Sequence, residues 1–375
     1  MNRKLHVCVA ALAAAVSLGA FAASAQALPV GFWGVVPQSE LTTSQFQRLS
    51  QGGVESIRIG LDWNAVQPTR GGEYQWGGFD GQLEAAAKAG IRVLPFFSGA
   101  PSWAVPAATV AGSGGAKAPA HLPVSGAARA GWTAFISAAI ARYGPNGTFW
   151  SERPTVPKTP LRTWQIWNEP NFKYFVAKPN PIEYGQLVKL SSTAIKSADP
   201  GGKAILAGLF ARPKGARNAR TGKHKSLNWF ASDFVAQMYK GNPGIKAAVG
   251  GVSLHPYVVN YSEMAPEIEE LRHVLARAHD PNKPLYITEL GWSSEAPNSA
   301  DQFAKGPVGQ ATQLQRALAL LRNKQAKWRL QGVYWFSVDD LAGACNFCGG
   351  SGLFAKGFTP KRSWYSYVKL TGGTP

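Results

Sequence analysis

Two glutamates in this chain stand where apolar, β-prone runs stop. Glu169 closes Trp164-Gln165-Ile166-Trp167-Asn168-Glu169-Pro170, and Glu289 lies in Leu285-Tyr286-Ile287-Thr288-Glu289-Leu290-Gly291-Trp292. Runs of that composition form buried strands rather than solvated helix faces. A carboxylate at the edge of a core is expensive to desolvate unless it has a partner or a task, and carboxylates with perturbed protonation cluster at functional sites. Each of the two lies close to an indole. The pair therefore reads as an acid/base couple facing a ligand with flat apolar faces and many hydroxyls, which describes a sugar. The competing reading, two structural carboxylates paired with arginines, puts the same residues in the same strands without chemistry.

Such a couple needs rigid mounting, and the periodicity of the chain supplies it. Strand-like segments at 30–36, 54–61, 91–97, 163–167, 204–209, 248–254, 285–288 and 332–337 alternate with helix-like segments at 43–50, 79–89, 129–143, 181–198, 227–240, 266–278, 310–323 and 363–370. Eight such pairs predict an α/β fold, a closed (β/α)₈ TIM barrel. An open doubly wound sheet fits less well, because the first turn lacks the glycine-rich phosphate loop. The long segments 106–128, 211–226, 293–309 and 340–362 then fall at the C-terminal face of the barrel, where such folds build their sites. Glu169 ends the fourth strand and Glu289 the seventh, so both project toward one cleft. Adjacent side chains of a regular strand point to opposite faces, so Asn168 and Glu169 can both reach the cleft only if the strand breaks or bulges there.

The pairing of Trp-Asn-Glu-Pro after strand four with Thr-Glu-Leu-Gly-Trp after strand seven resembles the clan A retaining glycoside hydrolases, over nearly the whole chain beyond residue 27. The resemblance implies that Glu169 is the general acid/base, Glu289 the nucleophile, and Asn168 a hydrogen-bond partner of the sugar 2-hydroxyl. It implies a His and a Tyr at the end of strand six, matched by His255 and Tyr257, with Tyr257 donating to Glu289. His255 also fits a plain core histidine. Arg58 on strand two matches an arginine held under the nucleophile, where its charge would keep Glu289 ionised while Glu169 stays protonated. Trp335 on strand eight matches a platform tryptophan, which in that clan often precedes a non-proline cis peptide. Trp103 and Trp63 are further stacking candidates, equally suited to packing. Two departures leave the substrate open. The strand-three end, Phe96-Phe97-Ser98-Gly99-Ala100-Pro101, lacks the histidine of family 5 cellulases, and the β-sandwich of many family 39 β-xylosidases is missing. The resemblance falls between those two families.

The first 27 residues read as a segment apart. Arg3 and Lys4 precede an apolar run from Val7 to Phe21, and Ala25-Gln26-Ala27 has the small-x-small form of a signal-peptidase site. That run is short of the roughly 20 apolar residues a spanning helix needs. The expectation is a cleaved signal peptide over 1–27 and a single catalytic domain over 28–375, exported to the medium or cell wall, monomeric, without stable membrane insertion. Removing Arg3 and Lys4 takes the 39 basic residues to 37 against 21 acidic, a net +16. Such an excess favours anionic partners, and the segment 211–226 concentrates it: Arg212, Lys214, Arg217, Arg220, Lys223 and Lys225 with no acid. An acidic polysaccharide is one substrate it would attract, and a solvated loop without a partner is the alternative. Nucleic acid is excluded by the lack of any zinc-finger, helix-turn-helix or RNP-like pattern.

Cys345 and Cys348 form a C-x-x-C pair, which in an oxidising compartment predicts a local disulfide. Zinc would need further ligands, and His255 has no neighbouring His/Asp cluster in the sequence, so neither a metal nor another cofactor is expected. The chemistry expected is double displacement on a β-linked poly- or oligosaccharide, with the two carboxyls about 5–5.5 Å apart. A transglycosylase would use the same residues, and a non-catalytic glycan-binding barrel would need neither glutamate.

Overall fold

Eight parallel strands close on themselves in chain order: β1 (Trp33–Val36), β2 (Ser56–Asp62), β3 (Arg92–Ser98), β4 (Thr163–Ile166), β5 (Lys203–Phe210), β6 (Gly251–His255), β7 (Leu285–Leu290) and β8 (Leu330–Phe336), with β8 hydrogen-bonded to β1. This computed structural model describes residues 27–111, 117–214, 216 and 227–375. The segment expected as a signal peptide therefore lies outside the described residues, save Ala27.

After each strand comes a helix: α1 (Thr43–Gln51), α2 (Gly77–Lys88), α3 (Gly126–Tyr143), α4 (Pro181–Ala198), α5 (Ala231–Gly241), α6 (Met264–Arg277), α7 (Gly306–Asn323) and α8 (Arg362–Thr371). The (β/α)₈ barrel expected from periodicity is the fold. Local chemistry sets several boundaries. Asn180 caps α4 through Oδ1, accepting from Ile182 N at 3.0 Å, and Pro181 occupies the first turn, where its missing N–H costs nothing. One expected boundary moved: β6 begins at Gly251, because Ile245–Ala248 ahead of it closes a helical turn and buries Ile245. Among the described residues, no helix is long and apolar enough to cross a membrane.

The core has two parts. Between barrel and helices lies the large cluster that includes Trp132, Trp164, Trp292, Trp335 and Trp364. Inside the barrel, Val36, Leu94, Ile205 and Tyr334 pack together, with Tyr286 and Phe336 against them. This inner plug is the floor on which the polar site rests.

Candidate active site

Arg58 faces inward from β2 above that floor and is 1% exposed. Its guanidinium spends its donors on three acceptors: Nε to Gln165 Oε1, Nη1 to Glu289 Oε1 and Nη2 to Asn168 Oδ1, each at 2.6 Å. Its face lies 4.0 Å from the Phe96 ring centroid. One fixed fork thus binds β2 to β4 and β7, and a lysine could not reproduce that geometry.

The two glutamates reach the cleft by different irregularities. On β4, Gln165 faces inward, so strict alternation would send Asn168 outward. Trp167 and Glu169 instead adopt positive φ, 72° and 40°, which turns both Asn168 and Glu169 inward and leaves Trp167 packed against Trp132. The break expected here is therefore present. On β7 the means is a bulge. Val333 pairs with Ile287 and Trp335 with Leu290, so three steps on β7 face two on β8. Thr288 and Glu289 then both point into the cleft, a usual service of bulges beside sites.

An oxygen of Glu169, a ring nitrogen of His255 and an oxygen of Glu289 lie within 4.8 Å of one another. Three groups of this type could in principle hold a cation. The Arg58 guanidinium, already bonded to Glu289 Oε1, puts a positive charge beside these groups, so the arrangement suits proton transfer better.

The environments of the two carboxyls differ. Glu289 accepts from Arg58 and, at Oε2, from Tyr257 Oη at 2.7 Å. Burial raises its pKa, but Arg58 and Tyr257 oppose the rise. Glu169 accepts no such cationic bond. Burial first, then the charge of Glu289, lifts its pKa well above the ordinary glutamate value, against a smaller pull from Arg58. The proton the pair can share therefore resides on Glu169 and the negative charge on Glu289. Burial and the charge on Glu289 likewise hold the Tyr257 phenol well above its usual pKa, which keeps it a donor.

His255 is fully buried, with Nδ1 2.7 Å from Glu169 Oε1 and Nε2 3.0 Å from Thr288 Oγ1. Desolvation and Arg58 hold its pKa well below the usual value, so the ring is neutral and its contact with Glu169 is a hydrogen bond rather than an ion pair. A neutral imidazole donates through one nitrogen and accepts through the other, and the Thr288 hydroxyl can serve either role. The ring lies flat on Gly208, where an added Cβ would sit 1.8 Å from Nε2. No side chain but hydrogen fits there.

One aromatic expectation needs correction. Trp335 is fully buried, donates from Nε1 to Ser351 O at 3.1 Å and packs 6.1 Å from Trp292. Alternation along β8 sends Tyr334 and Phe336 into the barrel and Trp335 toward the helices, so Trp335 is no platform for a ligand. Phe336, half-buried, takes the inward position, and the non-proline cis peptide joins it to Ser337. Trp63 is fully buried too, and Trp103 sits edge-on against it at 5.2 Å with Nε1 bonded to Gln67 O. Trp63 therefore takes the packing alternative, and Trp103 is half-buried beside it.

Gln165, Thr288, Gly208 and Phe336 were not singled out from sequence. Gln165 and Thr288 carried a signal: a polar residue inside a buried apolar strand must find a partner. Gln165 Nε2 meets Thr288 Oγ1 and Leu206 O, each at 3.2 Å. Gly208 and Phe336 carried none, because only the neighbouring strand shows what they face.

Of the basic segment, Arg217, Arg220, Lys223 and Lys225 lie outside the described residues. Arg212 is committed to α6, with Nε 2.5 Å from Glu267 and Nη2 2.8 Å from Glu270. Cys345 and Cys348 are disulfide-bonded, as their spacing predicts.

No family model matches the chain. It is 25% identical over 237 residues to a β-xylosidase of Geobacillus stearothermophilus, a match covering 56% of this chain and 41% of that enzyme. Among solved structures, a family 39 glycoside hydrolase from Bacteroides cellulosilyticus superposes with a TM-score of 0.63 at 20% identity, covering 92% of this chain and 64% of that one. A monomeric β-xylosidase from Caulobacter crescentus gives 0.64 at 19% identity, covering 92% and 69%. Structural neighbours include family 39 and family 5 glycoside hydrolases, which share this eight-stranded parallel barrel. The chain spans well under half of the Geobacillus enzyme's length and about two thirds of these structures.

Proposed function

We propose that this chain is an exported retaining β-glycosidase in which Glu169 is the general acid/base and Glu289 the nucleophile. One observation carries the reading. Two carboxyls approach within 4.8 Å, and their surroundings put the proton on one and the charge on the other. Retaining enzymes keep their carboxyls about 5–5.5 Å apart, whereas inverting ones leave about 6.5–9.5 Å for a water.

Each residue then has a task. Glu289, aimed by Arg58 and Tyr257, attacks the anomeric carbon. Glu169 gives its proton to the departing glycosidic oxygen and, as a carboxylate, next takes one from the water that releases the sugar. Between the two steps the negative charge moves from Glu289 to Glu169, and His255, neutral and hydrogen-bonded to Thr288, is placed to steady it. Asn168 has its amide oxygen held by Arg58, which leaves its nitrogen to donate to a substrate hydroxyl. Export rests on the form of residues 1–27 and is supported by the Cys345–Cys348 disulfide, since such bonds persist in oxidising compartments.

The test is stereochemical. Aryl β-glycosides, the xyloside among them, are hydrolysed in an NMR tube and the first-formed anomer is read. The β anomer is expected. The α anomer would rule out double displacement, and binding without turnover would leave a glycan-binding barrel.

A further inference from the structure

The disulfide lies in the long segment that follows β8. Its Cys348 arm is anchored: Ser294 N, Gln310 Nε2 and Lys361 Nζ all converge on Gly350 O at 2.8 Å. Cys348 itself is 1% exposed. The other arm, from Leu341 to Gly343, is exposed. The sulfur bridge and the 3.0 Å hydrogen bond from Leu341 N to Cys348 O together tie this exposed arm to the anchored one, and Phe347 sits in the closed turn between the two cysteines.

Phe347 is half-buried. Its ring centroid lies 5.3 Å from Tyr257, 5.2 Å from Phe303 and 5.8 Å from Phe336. Tyr257 is the residue whose hydroxyl binds Glu289. The same aromatic chain continues on the other side of Tyr257 to Phe210 at 5.8 Å, and from there to Phe172 at 5.3 Å, three residues after Glu169. An aromatic arc thus passes both carboxyls, and all of these rings are half-buried. Rings without polar atoms, left partly open beside two carboxyls, offer flat apolar faces of the kind that the C–H face of a sugar covers. Phe172, Phe210, Phe303 and Phe336 are held by β-strands or their immediate ends and loops. Phe347 alone in this arc lies within a covalently closed turn.

We propose that the Cys345–Cys348 bridge is a specificity device that holds Phe347 against Tyr257 as one wall of the sugar cleft. The proposal rests on the glycosidase reading above and adds a binding residue, Phe347, and two positioning residues, Cys345 and Cys348. Opening the bridge removes the covalent closure on the Cys345 side of Phe347 and lets its ring turn from Tyr257, so substrate binding weakens while the carboxyls, mounted on β4 and β7, keep their geometry.

The experiment measures kcat and KM on the best aryl β-glycoside of a panel, with and without tris(2-carboxyethyl)phosphine. It uses the wild type, Cys345→Ser/Cys348→Ser, Phe347→Ala and Phe347→Trp, each checked for wild-type thermal unfolding. Reduction of the wild type, the double serine variant and Phe347→Ala should each raise KM about tenfold, the worth of one lost aromatic contact, with kcat within about twofold. In Phe347→Ala the reductant should change nothing further, and Phe347→Trp should restore the low KM. A KM in the wild type indifferent to the reductant, or one that responds equally in Phe347→Ala, would overturn the proposal alone. So would a fall in kcat at constant KM in Phe347→Ala, which would make the ring a prop for Tyr257. No turnover by the wild type on any sugar would overturn the glycosidase reading and this proposal with it.

Discussion

The ends of β4 and β7 present the same residue type at the same face of one barrel, yet they make opposite chemical groups of it. At β7 a bulge delivers Glu289 onto a guanidinium and a phenol, so its charge is met by two donors. At β4 two left-handed residues deliver Glu169 onto a neutral, fully buried imidazole. The lesson is that the different protonation of the two carboxyls, on which their proposed roles rest, is conferred by what the neighbouring strands bring, since both side chains are almost equally buried, 7% and 11% exposed.

The largest effects should come from erasing each side of this contrast in turn. Glu289→Ala should cost on the order of 10⁴–10⁶ in kcat, as loss of a nucleophile does, with azide restoring turnover and giving the inverted product. Glu169→Ala should lose about 10²–10⁴ on poor leaving groups and much less on a dinitrophenyl glycoside. Equal losses on both leaving groups would remove Glu169 as the acid.

Next in size is the guanidinium on which the contrast turns. Arg58→Met leaves Glu289, Asn168 and Gln165 without their common donor, and breaking a buried pair this way costs about 3–5 kcal/mol. Chemical denaturation reads that loss. With the opposing charge gone, the pKa of Glu289 rises further, so the acid limb of kcat/KM should move to higher pH.

Tyr257→Phe removes a single charged hydrogen bond, worth about 1.5–3 kcal/mol. It should displace the same acid limb in the same direction and by less than Arg58→Met, with the alkaline limb, which reports loss of the Glu169 proton, moving little. A larger displacement than in Arg58→Met would invert the ranking of the two donors.

A stability measurement sharpens the β4 side. The native pKa of Glu169 stands well above its ordinary 4.5, chiefly through burial. A raised native value favours the fold below the unfolded pKa, and that contribution drains as pH rises through the native one. Glu169→Gln abolishes the titration, so its Tm advantage over wild type should widen from about pH 4.5 upward. A constant gap across that range would mean that the carboxyl is not strained by charge.

The smallest effect belongs to Arg212. Its charge is already taken by Glu267 and Glu270 at the surface, where ion pairs contribute about 0–1 kcal/mol. Arg212→Ala should leave KM and its salt dependence unchanged on both neutral and uronic-acid polymers. A selective rise with the acidic polymer would revive the expectation of an electrostatic guide.

Much of this was legible in the residue order. Period-two and period-3.6 patterning gives the eight strand–helix units, because each must bury one face against its neighbours, and Asn180-Pro181 marks the start of α4 through local capping alone. Glu169, Glu289, Arg58, Asn168, His255 and Tyr257 were named as candidates, and they now form one hydrogen-bonded cluster. Polar residues inside apolar strands stand out because burying them unpaired is costly. What the order of residues could not decide was which way a side chain points once regular alternation fails. Trp335 matches the platform tryptophan of the clan the sequence resembles, yet strand parity buries it and turns Phe336 inward. The bulge that turns Glu289 into the cleft exists only as a mismatch between β7 and β8, and Gly208 matters only because His255 from the next strand lies upon it. Phe347 and Tyr257, far apart in the chain, touch because separate loops meet at one rim. Local chemistry therefore set the elements and the chemically competent residues. Register between strands, a property of pairs rather than of any one segment, decided which of those residues meet and which of the two glutamates keeps the proton.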